Sequence, residues 1–310
     1  MTRRQTAVTL AGAPPGDIAV GMDGLLRFGE DILTKAGAAP EHARLTTEIL
    51  LEADLRGIES HGVAHLVDFY VRAIQGGLID TRAKVEVVRE TASAATVDAG
   101  GGLGFVAGHQ AMQRAITKAR ETGVGIVTVG NSTHYGAGTY YGMLALEHNM
   151  IGLSMTTGGR LMAAPGALAK TIGTNVISCS APTPRGFPYV LDMATTVVAA
   201  GKLEIAERRG RPIPEGWAID GQGNPLTDPK RRNVDAMLLP LGGSEATSSY
   251  KGFGLALMVD VLTGALSGFV TSAEMERWRA AHAFGALRID AFQPLDEFLN
   301  RMGGMIDAIK

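Results

Sequence analysis

The stretch Thr96-Val-Asp-Ala-Gly-Gly-Gly-Leu-Gly-Phe-Val-Ala107 decides how the rest of the chain is read. A strand signal runs into Gly102-Leu-Gly104-Phe-Val-Ala107, a Gly-x-Gly-x-x-Ala spacing. It opens a helical pattern with Ala111, Met112, Ala115, Ile116 and Ala119 on one face. Strand, glycine turn and helix are the setting of a dinucleotide fingerprint, in which N–H groups at the helix start hold a pyrophosphate. Such a unit also needs an acidic side chain at the end of the next strand to hold the adenosine ribose. Here that strand, Gly125-Ile-Val-Thr-Val129, ends in Gly130-Asn131 with no carboxylate. The segment therefore reads as a glycine-rich turn before a helix, and the chain as something other than a Rossmann fold.

Toward the N-terminus the pattern is helical. Leu25, Leu26 and Phe28 lead into Ile32 and Leu33, and Gly37 ends the run. Pro40 opens a second helix carrying Ala43, Leu45, Ile49, Leu50 and Ala53 at helical spacing. A third is expected from about Val63 to Gln75, stopping at Gly76-Gly77. Residues 1–20, with Arg3-Arg4 and Pro14-Pro15, read as a loose leader.

Toward the C-terminus short apolar runs of strand length alternate with glycine and proline. Strands are expected at Val85–Arg89, Ala94–Asp98, Ile151–Thr157, Val176–Ala181, Tyr189–Met193 and near Ala286–Ile289. Helices are expected at about Tyr140–His148, at 197–210, over the nearly all-apolar Lys251–Gly268, and from Leu295 onward. An all-apolar helix belongs in a core or a subunit interface. The fold class is α/β (α+β), with a mainly helical domain from residues 21–92 and 286–310 and a second domain over residues 93–285.

Composition narrows the function. The 310 residues are 45% hydrophobic and 19% charged, enough for a buried core. A net charge of −2 leaves no basic footprint for a phosphate backbone, so nucleic acid is not the expected partner. No apolar run approaches the ~20 residues of a membrane span. The single cysteine, Cys179, permits no intrachain disulfide and fits a reducing cytoplasm. Its strand setting, Asn175-Val-Ile-Ser-Cys-Ser-Ala-Pro182, suits a buried, inert thiol.

Chemistry gathers in a few places. In Asp54-Leu-Arg-Gly-Ile-Glu-Ser-His-Gly-Val-Ala-His65, glycines around Ser60 and His61 keep the imidazole from being packed away. A solvated capping segment and a reacting histidine both fit. His61 and His65 stand at a zinc-chelating spacing, but Gly62 interrupts the pair and the glutamate of the metalloprotease motif is missing, so no metal is expected. In Gly123-Val-Gly-Ile-Val-Thr-Val-Gly-Asn-Ser-Thr-His134-Tyr-Gly-Ala-Gly138 a strand ends in a polar loop carrying a histidine. Such loops commonly hold catalytic groups, and histidine exchanges protons near neutrality. Turns at Thr156-Thr-Gly158-Gly159, Ala164-Pro-Gly166, Gly173-Thr-Asn175 and Pro240-Leu-Gly242-Gly243, with Lys251-Gly252, offer N–H groups and one cation to a pyrophosphate.

In this order, Asp54–Val63, Asn131-Ser-Thr-His-Tyr-Gly136, Ile172-Gly-Thr-Asn175, Val190-Leu-Asp-Met-Ala-Thr195, Ile213-Pro-Glu-Gly-Trp217 and Lys251-Gly-Phe-Gly-Leu-Ala-Leu-Met258 resemble the malate/L-lactate dehydrogenase family, which lacks a Rossmann fold. The resemblance implies a largely antiparallel nicotinamide-binding sheet, a helical domain from the chain termini, a homodimer, and NAD or NADP as cofactor. It implies hydride transfer between the nicotinamide and C2 of a small 2-hydroxy or 2-oxo acid. By motif His61 and His134 match the histidines assigned to proton transfer, with Ser60 beside the first. Gly158, Asp192, Met193, Ala194 and Lys251 match positions that touch the dinucleotide.

There are departures. His65 stands where relatives carry a carboxylate-binding arginine, and Phe69 where a tyrosine is frequent. Histidine does not replace a bidentate guanidinium, so substrate binding at His65 and Phe69 differs or shifts to Arg72 or Arg160. The chain stops at Lys310, before a Pro-Gly loop that the resemblance would place at the cofactor. Two further readings are reduction of a cyclic imino acid and a nucleotide-binding homologue with impaired catalysis.

Overall fold

The computed structural model describes residues 20–275 and 278–310; the expected leader falls almost wholly outside them. Two helices begin the described chain, α1 (Met22–Lys35) and α2 (Pro40–Leu55). Pro40 sits in the first turn of α2, where its missing N–H leaves no bond unmade. Past Leu55 the expected continuous helix gives way to 3-10 turns at Glu59–His61 and Val63–His65, a wide π-type turn over Leu66–Val71, and the short α3 (Arg72–Gln75). A specific contact accounts for the break. The Asp54 carboxylate accepts the Val63 N–H at 2.8 Å, and a Cβ on Gly62 would lie 1.8 Å from an Asp54 oxygen. The chain thus folds over its own carboxylate before winding again.

Two strands follow, β1 (Glu86–Glu90) and β2 (Ala94–Asp98), then α4 (Gly104–Thr122) and β3 (Val124–Ser132). After them come α5 (Thr139–Leu144), β4 (Met150–Thr156), β5 (Met162–Ala163), β6 (Lys170–Ile172), β7 (Val176–Ala181) and β8 (Tyr189–Ala194). The remainder is α6 (Ala200–Arg208), β9 (Ala218–Ile219), β10 (Met237–Leu238), α7 (Tyr250–Asp260), β11 (Ala280–Arg288) and α8 (Leu295–Ile309). A π-type turn, Val261–Ala265, carries α7 onward.

The larger sheet has seven strands in the order β1-β2-β3-β11-β4-β7-β8. Only β2 and β3 pair in parallel, with α4 as their crossover; the other neighbours are antiparallel. A four-stranded sheet, β6-β5-β10-β9, stands beside it. The mixed α/β architecture with a largely antiparallel sheet is the expected one. Phe105, Met112, Ala115 and Ile116 of α4 pack in one core with Val127, Val129 and Phe284 of the sheet. A Cβ on Gly125 would come within 2.0 Å of the Ala115 carbonyl oxygen, so a bare glycine lets α4 lie this close.

One strand is longer than its sequence pattern suggested. Its sequence pattern marks only the end, near Ala286–Ile289, whereas β11 starts at Ala280 and fills the middle of the large sheet. Every residue from Ala280 to Ala286 is buried. With both faces covered there is no polar alternation to mark a strand, and alanines fill the run. At the far end, α8 rests on the turn between β7 and β8, where Arg185 pairs with Asp307 and Gly303 approaches Pro184.

Candidate active site

The glycine run that opened the reading has a packing role. The Gly104 N–H donates to Thr133 Oγ1 at 3.0 Å, and that hydroxyl donates to the Gly102 carbonyl at 2.8 Å. A Cβ on Gly104 would lie 2.0 Å from the Thr133 carbonyl oxygen. The start of α4 is therefore closed by protein and holds the His134 loop in place of a phosphate.

The candidate residues follow the strands at one end of the large sheet. His282, Thr156, Val176 and Ala194 stand side by side across β11, β4, β7 and β8. Beyond that row β3 runs on to His134, β4 to Gly158, and β8 ends at Ala194. Gly158 touches the chain at Gly173, where a Cβ would come 2.4 Å from the Gly158 carbonyl oxygen. The Thr195 N–H donates to Thr174 O at 2.9 Å and the Leu241 N–H to Thr195 O at 2.8 Å; Gly252 packs on Leu241 next to Lys251. Segments far apart in sequence are thereby drawn together.

From the helical side come Ser60 and His61. A Cβ on Gly201 would be 2.8 Å from Ser60 Cβ, so the start of α6 presses directly on this turn. Ser60 Oγ lies 2.9 Å from His61 Nδ1. The His61 and His134 rings stack with centroids 5.5 Å apart and 18° between planes. Phe69 stands edge-on to both His134 (5.5 Å) and His65 (5.7 Å). His61, His134, Ser60, His65 and Phe69 thus form one cluster.

Burial sets their protonation. It pushes His61 down to about 4, with His65 adding to the shift and the Glu204 carboxylate opposing it. His134 is held well below the ordinary histidine value, first by burial and then by His61, His65 and His282. Both rings are neutral near pH 7. His134 Nδ1 receives the Gly136 N–H at 3.2 Å and lies 2.6 Å from the Tyr70 hydroxyl, which burial keeps protonated. A backbone N–H can only donate, so the neutral His134 ring carries its proton on Nε2.

Two partners carry no signal in the sequence. Tyr70 sits beside Phe69 but gave no signal as a hydrogen-bond donor to a residue 64 positions away. Glu204 on α6 places Oε2 3.0 Å from His65 Nε2, with Arg232 behind it at 3.4 Å. Of the cations offered as substitutes, Arg72 pairs with Asp68 on the exposed surface at 2.8 Å, and Arg160 is exposed two residues beyond Gly158.

A scan of protein families matches residues 20–310 to the model described as malate/L-lactate dehydrogenase. The chain belongs to the malate/L-lactate dehydrogenase family. This family member is 45% identical to a malate dehydrogenase of Pyrococcus abyssi over 93% of the chain and 81% of that relative. It is 35% identical to an L-sulfolactate dehydrogenase of Methanocaldococcus jannaschii, over 90% and 80% of the two chains. Among solved structures, malate dehydrogenase from Pyrococcus horikoshii OT3 superposes with a TM-score of 0.84 at 42% identity, covering 93% of this chain and 80% of that one.

The residues of this family member fit a nicotinamide dinucleotide. No atom lies within 4 Å of where a Cβ on Gly158 would be, which leaves that side of the turn open, while its backbone N and O rest against Gly173. The buried Asn175 Oδ1 beside it has no hydrogen-bond partner among the described residues. Lys251 is exposed at the start of α7. One oxygen of the Asp192 carboxylate, Oδ2, accepts both the N–H and the hydroxyl of Thr139 at 2.7 Å, which ties the end of β8 to the start of α5. Burial raises its pKa.

Proposed function

We propose that this family member is an NAD(P)-dependent dehydrogenase that interconverts a small 2-hydroxy acid and its 2-oxo acid. What supports this is the stacked, neutral His61–His134 pair, with His134 following β3 at the same end of the sheet as Gly158 after β4 and Ala194 at the end of β8. Gly158, Met193, Ala194 and Lys251 would hold the dinucleotide, while Asp192 orders the loop beneath it. Bound NAD(P) supplies the centre that accepts or donates the hydride.

The chain's own residues handle the proton. With Nε2–H fixed by Gly136, His134 donates a hydrogen bond to the C2 oxygen and orients it. His61 is better placed to carry the proton. Ser60 Oγ can accept from Nδ1, leaving the His61 Nε2 lone pair free to take the hydroxyl proton during oxidation. The Glu204 carboxylate favours the imidazolium so formed, which returns its proton to the C2 oxygen during reduction. His65 and Phe69 line the substrate side, with aromatic contact in place of a guanidinium clamp. That replacement favours a second reading, in which a cyclic imino acid is reduced.

The supporting test is a titration of the protein with NADH and NADPH by fluorescence, followed by a panel of 2-oxo and cyclic imino acids. Nucleotide binding with turnover of a 2-oxo acid is expected. Turnover confined to imino acids supports the second reading, and binding without turnover makes the protein an impaired homologue. We also propose a homodimer in the cytoplasm. Leu257, Val261 and Leu266 expose an apolar stripe along α7 and its continuation, and the one cysteine suits a reducing compartment. Among the described residues no helix is long and apolar enough to cross a membrane. Residues 21–92 with 286–310 are proposed as the helical part and 93–285 as the dinucleotide part, with β11 crossing the second join.

A further inference from the structure

His282 has no part in the proton chemistry above, yet it sits between the strands that lead to His134 and to Gly158. It is fully buried on β11, flanked by β3 and β4. Its Nε2 is 2.9 Å from Ser132 Oγ on β3 and its Nδ1 is 2.7 Å from Thr156 Oγ1 on β4. Burial pushes it down to about 3, so the ring is neutral, with one donor and one acceptor nitrogen. Hydroxyls can play either part, so both nitrogens are satisfied and neither is free to exchange protons with a substrate. The ring also lies flat on Tyr135, with centroids 4.7 Å apart and 4° between planes. Tyr135 in turn reaches Ser154 Oγ at 3.0 Å.

These contacts bracket His134. Ser132 precedes it by two residues and Tyr135 follows it directly. Gly136 holds the His134 ring from within its own loop and Tyr70 holds it from the helical side, while His282 and its partners tie that loop to β11 and β4 through side chains on both flanks. An apolar ring of the same size would fill the space without this hold. We propose that His282 is a positioning residue that aims His134 at the substrate oxygen by holding Ser132 and stacking on Tyr135. The inference rests on His134 acting in the reaction proposed above.

The test is His282→Phe, which keeps ring and stack but removes both hydrogen bonds. The two orphaned hydroxyls have the Thr133 and Thr157 carbonyls at 3.5 and 3.0 Å as alternative acceptors. Misalignment at a reacting group predicts that kcat falls about 10- to 100-fold while the NADH Kd moves less than about threefold. On a His134→Ala background the same change should cost nothing further, because its effect runs through His134. Ser132→Ala, a smaller change at the same bond, should show the same pattern and serves if His282→Phe does not fold; His282→Gln should restore part of kcat. Unchanged kcat, or a loss that multiplies with His134→Ala, overturns the proposal. Imidazole ¹⁵N NMR gives a reading apart from turnover: the His134 signals should shift in His282→Phe, and unmoved signals also overturn it. If wild type turns over no 2-oxo acid, the proposed reaction fails instead, and the NMR arm alone decides the positioning role.

Discussion

Neutral imidazoles are costly to protonate in this site, and that fixes the direction of its pH response. His61 is lowered to about 4 and His282 to about 3 from an ordinary 6.5. As pH falls below 6.5 the unfolded chain takes up protons that the folded one refuses. Their stabilising effect is full above pH 6.5 and is lost through the window down to about 3 to 4. Thermal melts should give a level Tm above neutrality and a falling one through that window; a Tm that climbs on acidification would contradict these shifts. The acid limb of kcat/KM in the free enzyme should likewise lie below the ordinary histidine value. His61→Ala, which removes the proton carrier, and His134→Ala, which removes the donor to the C2 oxygen, should each lower turnover by roughly 10²–10⁴. Full activity in both variants would remove these residues from the mechanism.

Between elements, close contacts at glycine decide whether the cluster assembles. α6 approaches the Ser60 turn so closely that Gly201→Ala would set a methyl 2.8 Å from Ser60 Cβ. Such overpacking costs about 1–3 kcal/mol and tilts Ser60 away from His61. A lower urea midpoint with reduced kcat is expected, and an unaltered midpoint would mean that α6 yields freely. Gly104→Ala is harsher, since its methyl would meet the Thr133 carbonyl oxygen at 2.0 Å and lift the His134 loop. The sequence showed that α4 follows a glycine turn, but not that the turn's partner is the loop bearing the second histidine. That partnership joins positions 29 to 31 residues apart and leaves no local pattern.

Across the whole molecule, α7 and its π-type continuation present Leu257 (43% exposed), Val261 (60%) and Leu266 (58%) to solvent. This stripe is the surface through which the proposed dimer would form. Sedimentation should find a dimer, and Val261→Glu should shift it toward monomer with its circular dichroism unchanged. A monomeric wild type at micromolar concentration would leave the stripe without this role. The sequence pattern of this segment was apolar all round, which allows a core or an interface alike. Only packing distinguishes the faces: Ala256 and Val259 are buried, while Val261 and Leu266 are not.

By itself the sequence determined that Thr96–Ala107 is no dinucleotide fingerprint, because the acidic residue is missing from the strand that follows. It also marked His61, His134 and the glycine turns, since local spacing and side-chain chemistry are written in the order of residues. Tertiary structure alone decided that Tyr70 and Gly136 fix the proton on His134, that Glu204 engages His65, and that β11 lies at the centre of the sheet. Each of those facts is a meeting of distant segments or a strand covered on both faces. Neither leaves a periodic trace, so each emerges only when the chain is folded.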